Sequence, residues 1–486
     1  LAQAASAQVE RHALFFGGRP RSAISKMRAF IVLVALGSPA AAFLVTPEQV
    51  HVTLGRDPTT AVNVQWHLKL DSDGDASGAM QLHHLLAATK PAVKYWPASE
   101  DESTAHLTQD GKTWPFTKEL TDKVSTCESS WDATACLATD TIDATSVVYV
   151  AGLMPNTLYK YRVSADGGAT NKLFSVKTQP VQTAGDPRGP NNYPEMTYAL
   201  WGDLGDFNGQ ARPIMEREAL AGKLDMVLHV GDFAYNFNSD DGKNGDAFMR
   251  DMENLYAYVP TMPLPGNHED SAHFNQYTQR FRGVASNTKP LNSYPEFANQ
   301  NMTNSWYYSF QTGYLNVIYF SSELYFDGQY RAQRKDQYDF IVAELKKANT
   351  PEMRAARPWL VLAAHRPMYC SADGDCDGDA TNLREGVEVN GTREHGLEQL
   401  FHDYGVDLFV CGHIHNYERT YEIHPKWNAK APYLSGWTEK KTVNPRAVTH
   451  YLTGAAGNVE RHEHFTRPAA FWDASRVTSY GWSRMT

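Results

Sequence analysis

The chain has 486 residues, of which 42% are hydrophobic and 21% are charged, a composition typical of globular proteins rather than disordered or fibrous ones. At roughly 150 residues per domain, this length allows two or three domains. The 45 Lys and Arg against 55 Asp and Glu give a net charge of −10, which argues against a protein built to bind nucleic-acid phosphates or an anionic membrane surface.

Residues 1–42 have the pattern of a leader. The first Met is Met27, and a basic residue, an eight-residue apolar run at 29–36 and small residues at 40–42 follow it. This order is typical of a secretory signal peptide over residues 27–42, cleaved before Phe43; a buried N-terminal strand or helix is the alternative. Spanning a bilayer takes about 20 residues, so we expect no stable membrane association. Residues 1–26 are interpreted as a non-native upstream segment.

Two further features fit a secreted or lysosomal/vacuolar glycoprotein. Asn301 and Asn390 each begin an Asn-x-Thr triplet, which is the acceptor for N-glycosylation. Four of the five Cys form closely spaced pairs in turn-rich sequence. These pairs are candidates for local disulfides: Cys127 with Cys136, and Cys370 with Cys376.

Residues 43–180 show short β-type runs separated by turn residues, which predicts an antiparallel β-sandwich. The predicted strands lie at 49–54, 61–68, 146–150, 158–163 and 174–178. His, Cys and carboxylates do not cluster there in ligand-like spacing, so we interpret this region as a support or binding module. Residues 181–194, rich in Pro, Gly and Asn, are interpreted as a linker.

Residues 195–486 alternate apolar strands with helical segments, which predicts an α/β domain with covered sheets. Buried strands are predicted at 197–201, 226–230, 317–320, 359–363 and 407–410. Helices are predicted where apolar residues recur every three or four positions: 211–224, 246–258 and 331–348.

Residues of the kinds that bind metals follow five strands of this region, at the carboxyl ends where α/β domains place their sites. The motifs are GDLG at 202–205, GDFAY at 231–235, GNHE at 266–269, LAAHRP at 362–367 and GHIH at 412–415. Each motif alone has an ordinary explanation, since Gly-Asp is common in turns and Asn-His in helix caps. Their joint placement instead predicts one site.

The residue types suit a pair of metal ions. Asp232 can bridge two cations about 3.5–4 Å apart through its two oxygens. The imidazoles of His365, His413 and His415 and the amide oxygen of Asn267 suit intermediate transition metals. In an extended segment, side chains two residues apart share a face, so both His of GHIH are expected to reach the pair.

Tyr235, three residues past Asp232, can turn back onto the same cluster. Its phenol has an ordinary pKa near 10. Ionisation near neutral pH therefore requires a strongly polarising ion, which indicates a trivalent metal such as ferric iron.

Together the five motifs resemble the metal-binding motifs of purple acid phosphatases, a branch of the metallophosphoesterases. Ordinary metallophosphoesterases begin with Asp-x-His, whereas this chain has Gly205 at that His position and supplies Tyr235 instead. The resemblance covers most of residues 47–486. It implies a fibronectin type III-like sandwich before a metallophosphoesterase domain of two packed sheets flanked by helices, as in the long, plant-like form.

The resemblance also implies a role for each site residue. Three groups of metal ligands follow from it: Asp203, Tyr235 and His415 for Fe³⁺; Asn267, His365 and His413 for a divalent ion (Zn²⁺, Fe²⁺ or Mn²⁺); and Asp232 as the bridge. His268 would bind no metal and would instead reach the phosphate or the leaving group as a catalytic residue. Several family members carry a further His about ten residues past His365, but residues 371–379 are acidic here. The nearest alternative is His395.

The resulting hypothesis is a secreted acid phosphatase that hydrolyses small phosphate monoesters to orthophosphate, with a metal-bound hydroxide as the nucleophile. A phosphodiesterase or nucleotide pyrophosphatase on the same site is one alternative. A non-catalytic secreted adhesion or metal-binding protein is another. The physiological substrate, the divalent ion, the general acid and the oligomeric state, a homodimer included, stay open.

Overall fold

The structure, a computed structural model, describes most of the chain after residue 45. The described residues are 46–68, 90–116, 143–165, 172–181, 195–206, 209–294, 303–372, 376, 378, 380–423, 447–470 and 472–486. All of them belong to one unit, Leu44–Thr486. The predicted upstream segment, signal peptide and most of the linker lie outside the described residues, as do Asn301, Cys127 and Cys136.

Eight strands form the N-terminal part of the described chain. They are β1 Pro47–Leu54, β2 Ala61–Leu68, β3 Ala92–Pro97, β4 His106–Thr108, β5 Gly111–Phe116, β6 Asp143–Ala151, β7 Leu158–Ser164 and β8 Phe174–Lys177. A 3₁₀ turn, Glu102–Thr104, precedes β4. The strands pair antiparallel in two sheets, β1-β2-β6-β5 and β4-β3-β7-β8, which confirms the predicted sandwich.

Strand β2 is buried along its whole length because its two faces meet different partners. Val62, Val64 and Trp66 lie in the apolar core of the sandwich. The intervening Gln65 and His67 are also buried, although they are polar. Alternation along a strand directs these two to the opposite face, where Gln65 contacts the α/β region.

Thirteen strands are described in the α/β region. They are β9 Tyr198–Trp201, β10 Met226–Val230, β11 Thr261–Leu264, β12 Tyr308–Thr312, β13 Leu315–Tyr319, β14 Trp359–Ala363, β15 Gly386–Val389, β16 Thr392–His395, β17 Leu408–Cys411, β18 Tyr417–Ile423, β19 Val448–Thr453, β20 Asp473–Val477 and β21 Ser483–Met485. They form sheets β11-β10-β9-β21 and β12-β13-β14-β17-β19-β18-β20 and the hairpin β15-β16. One apolar cluster joins the two larger sheets, as the predicted two-sheet domain requires.

Helices flank these sheets. They are α1 Arg212–Leu220, α2 Lys243–Tyr256, α3 Ser271–Arg280, α4 Arg331–Ala348, α5 Pro351–Ala356, α6 Ala380–Arg384 and α7 Glu398–Asp403, with 3₁₀ turns at Asn267–Glu269, Leu291–Ser293, Ser322–Tyr325 and Gly328–Tyr330. Helix α1 ends before the predicted residue 224, because Gly222 takes a left-handed φ of 67° that ends helices readily. Within the described residues, every helix is too short or too polar to cross a bilayer.

The sandwich binds the α/β region through buried hydrogen bonds. Gln65 Nε2 donates to the carbonyls of Gln279 at 3.0 Å and Arg280 at 2.7 Å, and its Oε1 accepts from Gly283 N at 2.6 Å. Tyr161 Oη donates to Ala257 O at 2.6 Å. The sandwich therefore holds the end of α3, the helix that follows the GNHE motif directly.

Candidate metal centre

The five motifs lie at the carboxyl ends of five parallel strands from both large sheets. Asp203 follows β9, Asp232 follows β10, Asn267 follows β11, His365 follows β14 and His413 follows β17. Strands β9, β10 and β11 pair in parallel, as do β14 and β17. Within each sheet the loops therefore open on one edge, where the sequence pattern predicted the site residues.

Asp232 lies at the centre of one group of donors. Its Oδ2 is 3.1 Å from His365 Nε2, and the same nitrogen is 3.1 Å from Asn267 Oδ1. One ligand atom each from Asp232, His365 and His413 lies within 4.8 Å of the others. His365 Nδ1 is bound to Val230 O at 2.9 Å, and this contact directs Nε2 toward the cluster.

A second group adjoins the first. Tyr235 Oη is 2.9 Å from His415 Nε2 and 3.4 Å from Asp203 Oδ1, and that carboxylate oxygen is 3.5 Å from His415 Nε2. The other oxygen of Asp203 accepts from His413 N at 2.9 Å. This contact connects the two groups, so the structure brings all seven predicted ligands together.

Backbone strain accompanies this convergence. Asp203, Asp232, Tyr235 and His413 have left-handed φ angles of 61°, 53°, 52° and 71°. Such angles cost non-glycine residues energy and cluster at functional sites. The backbone conformation at these four positions sets the directions in which their side chains leave the loops.

The arrangement of the two His of GHIH differs from the prediction. Residues 413–416 form bends rather than an extended strand, because His413 has a left-handed φ. Its imidazole meets Asp232 and His365, while His415 meets Asp203 and Tyr235. The two imidazoles therefore serve different groups of donors.

Glu269 of the GNHE motif ties the first group to its backbone. Its Oε2 accepts from Asp232 N and Gly266 N, both at 2.9 Å, and its Oε1 accepts from Phe233 N at 3.0 Å. Burial and the neighbouring Asp232 raise the pKa of Glu269 to about 8. Sequence reasoning gave this Glu no role, although its position three residues past Gly266 is that of a capping-box carboxylate.

The electrostatics of the cluster fit metal ions. Burial opposes ionisation of Asp232, yet the His365 imidazole holds the pKa of that carboxyl well below its usual range. Burial also opposes protonation of His365, but the neighbouring Asp232 outweighs this effect and raises the pKa of the His365 imidazole to about 10. Burial, together with Asp203 and Asp232, raises the pKa of the Tyr235 phenol well above its usual range. The donors thus concentrate negative charge that cations would neutralise.

His268 lies beside the cluster rather than within it. Its Nδ1 is 3.0 Å from Asn236 Oδ1, and its Nε2 is 3.9 Å from Asp232 Oδ2. Sequence reasoning missed Glu460, whose carboxylate lies 3.7 Å from His268 Nε2 and 3.9 Å from His415 Nε2. Glu460 follows β19, outside the five motifs, so no sequence signal indicated it.

A second buried cluster of possible ligands lies between the sandwich and the α/β region. It consists of His67, Asp143 and Asp246. Asp246 is paired at 2.9 Å with the buried guanidinium of Arg280. Because this cation already supplies positive charge, we interpret the cluster as part of an ion-pair network and not as a metal site.

The remaining predicted residues make contacts outside the two groups of donors. Cys370 and Cys376 form a disulfide with Cα atoms 5.2 Å apart. Asn390 is exposed in the turn between β15 and β16. His395 packs against the Tyr338 ring at a centroid distance of 5.1 Å, and its carbonyl accepts from Tyr325 Oη.

Comparisons with known proteins bear on this geometry. Residues 196–417 match the profile of calcineurin-like phosphoesterases, and residues 47–178 match that of the purple acid phosphatase N-terminal domain. Acid phosphatase type 7 from Danio rerio is 40% identical over 59% of this chain and 61% of its own length. The Homo sapiens protein of that name is 36% identical over 68% of each chain.

The fold has a counterpart of known structure. A purple acid phosphatase from yellow lupin seeds matches with a TM-score of 0.59 at 22% identity, over 90% of this chain and 70% of that one. At this identity the likeness concerns the fold. It covers both the sandwich and the α/β region.

Proposed function

Because this chain belongs to the purple acid phosphatase family of metallophosphoesterases, we propose that it hydrolyses small phosphate monoesters to orthophosphate at a binuclear metal centre. One observation carries the proposal: seven donor side chains from five loops meet in two adjoining groups. Bridging carboxylates, imidazoles and a phenol in such groups are ligands that hold two metal ions.

Each group would hold one ion. We assign Fe³⁺ to Asp203, Tyr235 and His415, since the raised phenol pKa means that only a strongly polarising cation would make Tyr235 a phenolate. A divalent ion, Zn²⁺, Fe²⁺ or Mn²⁺, would be held by Asn267 and by the two remaining His of the site, with Asp232 shared. Two such ions neutralise charge on phosphate oxygens and lower the pKa of a bound water.

The chain's own residues would bind and orient the ester beside the ions. His268 N donates to Asp232 Oδ1 at 3.0 Å, and this bond fixes the backbone of His268 against the centre. With Nδ1–H donating to Asn236 Oδ1, Nε2 faces the donors. In the imidazolium form, which carries a proton at both ring nitrogens, the Nε2 proton would be placed to reach the leaving oxygen as the P–O bond breaks.

The test compares Asp232→Asn with Asp240→Asn, an exposed carboxylate in the same loop. The parent protein should hydrolyse a nitrophenyl phosphate monoester faster than the matching diester, and a reaction in oxygen-18 water should give labelled phosphate. Asp232→Asn should lose bound metal and at least about 100-fold in kcat/KM, while the control stays at the parental rate. Hydrolysis within threefold of the parent by Asp232→Asn would end the proposal.

The visible spectrum tests the identity of the first ion. A Tyr235 phenolate bound to Fe³⁺ should colour the purified protein, and Tyr235→Phe should remove the visible band while iron remains bound. A parent protein that contains two metal equivalents but absorbs no visible light would refute the ferric assignment.

We also propose that the protein is a secreted or lysosomal/vacuolar glycoprotein with domains at 43–180 and 195–486. The Cys370–Cys376 disulfide supports an oxidising compartment, and Asn390 is accessible in its turn. Asn390→Gln should increase gel mobility and abolish part of the shift caused by enzymatic deglycosylation. Equal mobility of parent and variant would remove Asn390 from the proposal.

A further inference from the structure

Two buried carboxyl groups face each other where β18 pairs with β20. Glu418 is 1% exposed and the side chain of Asp473 is 2% exposed, and the two groups lie within hydrogen-bonding reach of each other. Asp473 pairs with Thr420 across these strands. Glu418, two residues before Thr420, leaves β18 on the same face. Neither carboxyl is among the seven donors of the candidate metal centre.

Each of these carboxyl groups has one oxygen with a donor and one without. Glu418 Oε2 accepts from Ser371 N at 2.9 Å. Asp473 Oδ2 accepts from Ala470 N at 2.5 Å and lies 3.4 Å from Arg476 Nη1. Among the described residues, no donor reaches Glu418 Oε1 or Asp473 Oδ1. Ionised carboxylates offer only acceptors, so a proton held between these two oxygens is the group that would satisfy both.

The surroundings decide which carboxyl carries this proton. The guanidinium of Arg476 lies beside Asp473 and favours its negative charge. Glu418 instead bonds a neutral backbone N–H. Burial, together with the hydrogen bond and the charge of Asp473, raises the pKa of Glu418 to about 8. Glu418 is therefore the member of the pair that keeps its proton up to neutral pH.

Ionisable side chains on the neighbouring strands keep one charge state between pH 5 and 8. Burial raises the pKa of the Cys411 thiol on β17 well above its usual range. Burial lowers the pKa of His450 on β19 to about 3, and the guanidinium of Arg476 on β20 stays charged throughout. Arg419 and Glu422 are the other charged side chains of β18. Cys411, His450 and Arg476 therefore add no proton change of their own in this range.

We propose that Glu418 and Asp473 share one proton and form an acid-dependent contact between the β18-β20 pairing and the loop that follows His365. The neutral Glu418 donates Oε1–H to Asp473 Oδ1 and accepts from Ser371, the residue after Cys370 of the disulfide. Loss of the proton places two negative charges together in a buried site, which destabilises the folded chain. The contact thus adapts the fold to acidic surroundings.

The pH dependence of this contact has a definite sign. Between the ordinary pKa of 4.5 and about 8, Glu418 is protonated in the folded chain and ionised in the unfolded one. Unfolding therefore releases one proton in this range, and the contribution of the contact to stability is lost as the pH rises.

The experiment compares denaturant unfolding of the full chain and of Glu418→Gln from pH 5.5 to 7.5. The amide of the variant donates N–H to Asp473 but does not titrate, while Arg419 and Glu422 are present in both proteins. The unfolding constant of the parent, divided by that of the variant, should rise about 10-fold per pH unit and about 100-fold across the range. Glu388→Gln makes the same change at an exposed position of β15 and should follow the parent at every pH.

A parent-to-Glu418→Gln ratio that changes less than threefold across the range overturns the proposal, because a water between two ionised carboxylates would give that result. Should Glu418→Gln fail to fold, Asp473→Asn takes its place. Its amide donates to an ionised Glu418 and removes the neighbouring anion, so the parent-to-variant ratio should rise at least about 10-fold across the range. A change below threefold in Asp473→Asn overturns the proposal equally.

These measurements require neither bound metal nor a phosphate ester. A chain that shows the pH dependence but hydrolyses no monoester refutes only the proposed phosphatase function. A chain that hydrolyses the monoester but lacks the pH dependence refutes only the shared proton.

Discussion

Gly266 controls the position of the proposed bridging carboxylate, and its replacement by Ala should disable the centre. A Cβ at this position would lie 2.1 Å from Asp232 Oδ1. Ordinary van der Waals contact begins at 3.4 Å, so this oxygen must move by about 1.3 Å. Gly266 has a φ of −105°, which Ala adopts freely, so the effect is steric and not one of backbone strain.

The carboxylate has little room for this movement. Asp232 is 1% exposed, and its oxygens are held by His268 N at 3.0 Å and His365 Nε2 at 3.1 Å. Overpacking of this kind lowers the free energy of unfolding by about 1–3 kcal/mol. A displacement of about 1 Å in a reacting site costs roughly 100-fold in rate, so kcat/KM should fall by that factor and bound metal should decrease.

Gly481→Ala is the matched control, because a Cβ there has no heavy atom within 4 Å. Metal content comes from elemental analysis, kcat/KM from monoester hydrolysis and stability from denaturant unfolding. Gly481→Ala should keep parental values in all three. A Gly266→Ala protein with metal content and kcat/KM within threefold of the parent would refute the placement of Asp232 and the reasoning that follows from it.

Three further predictions concern groups outside the ligand set. Burial lowers the pKa of the His51 imidazole from 6.5 to about 4. Between these two pH values the imidazole is protonated in the unfolded chain and neutral in the folded one. The free energy of unfolding should therefore fall by up to about 3 kcal/mol as the pH drops from 6.5 to 4. His51→Gln should flatten that part of the pH profile in denaturant unfolding, and an unchanged slope would contradict the assignment. Glu460→Gln removes a half-exposed anion beside His268 and His415. It should lower the KM for a substrate with a second phosphate about three- to fivefold relative to the KM for nitrophenyl phosphate. If the ratio of these two KM values is the same in the parent and the variant, the charge of Glu460 has no such effect. Gln65→Leu removes three hydrogen bonds to backbone groups of the α/β region and should lower the free energy of unfolding by about 2–4 kcal/mol. A loss below about 1 kcal/mol would show that other partners or water replace the amide.

The sequence predicted best the elements whose pattern has a single physical explanation. Strands β10 and β14 are apolar runs inside the sheets, and both were predicted with the observed bounds. Helix α4 was predicted with the observed bounds as well. Strands β4 and β20 were missed because they are short or partly exposed throughout, so burial leaves no clear alternation in their sequences.

The candidate centre was predictable in composition but not in conformation. The motifs supplied all seven donors, because each lies just after a strand. The left-handed φ of His413 could not be predicted from a His within GHIH, so the expectation that both imidazoles lie on one face of an extended segment used the wrong backbone geometry. Glu460 was missed because its contacts cross loops that are distant in sequence.

The hydrogen bonds of Gln65 have an evolutionary consequence. Substitutions in β2 change the contacts that this strand makes with the last turn of α3. We therefore expect substitutions in the sandwich and in the α/β region to have accumulated together during evolution. A chimera that joins the sandwich of one relative to the catalytic part of another would inherit mismatched partners at Gln279, Arg280 and Gly283. Recombination between such lineages is therefore expected to exchange both modules together.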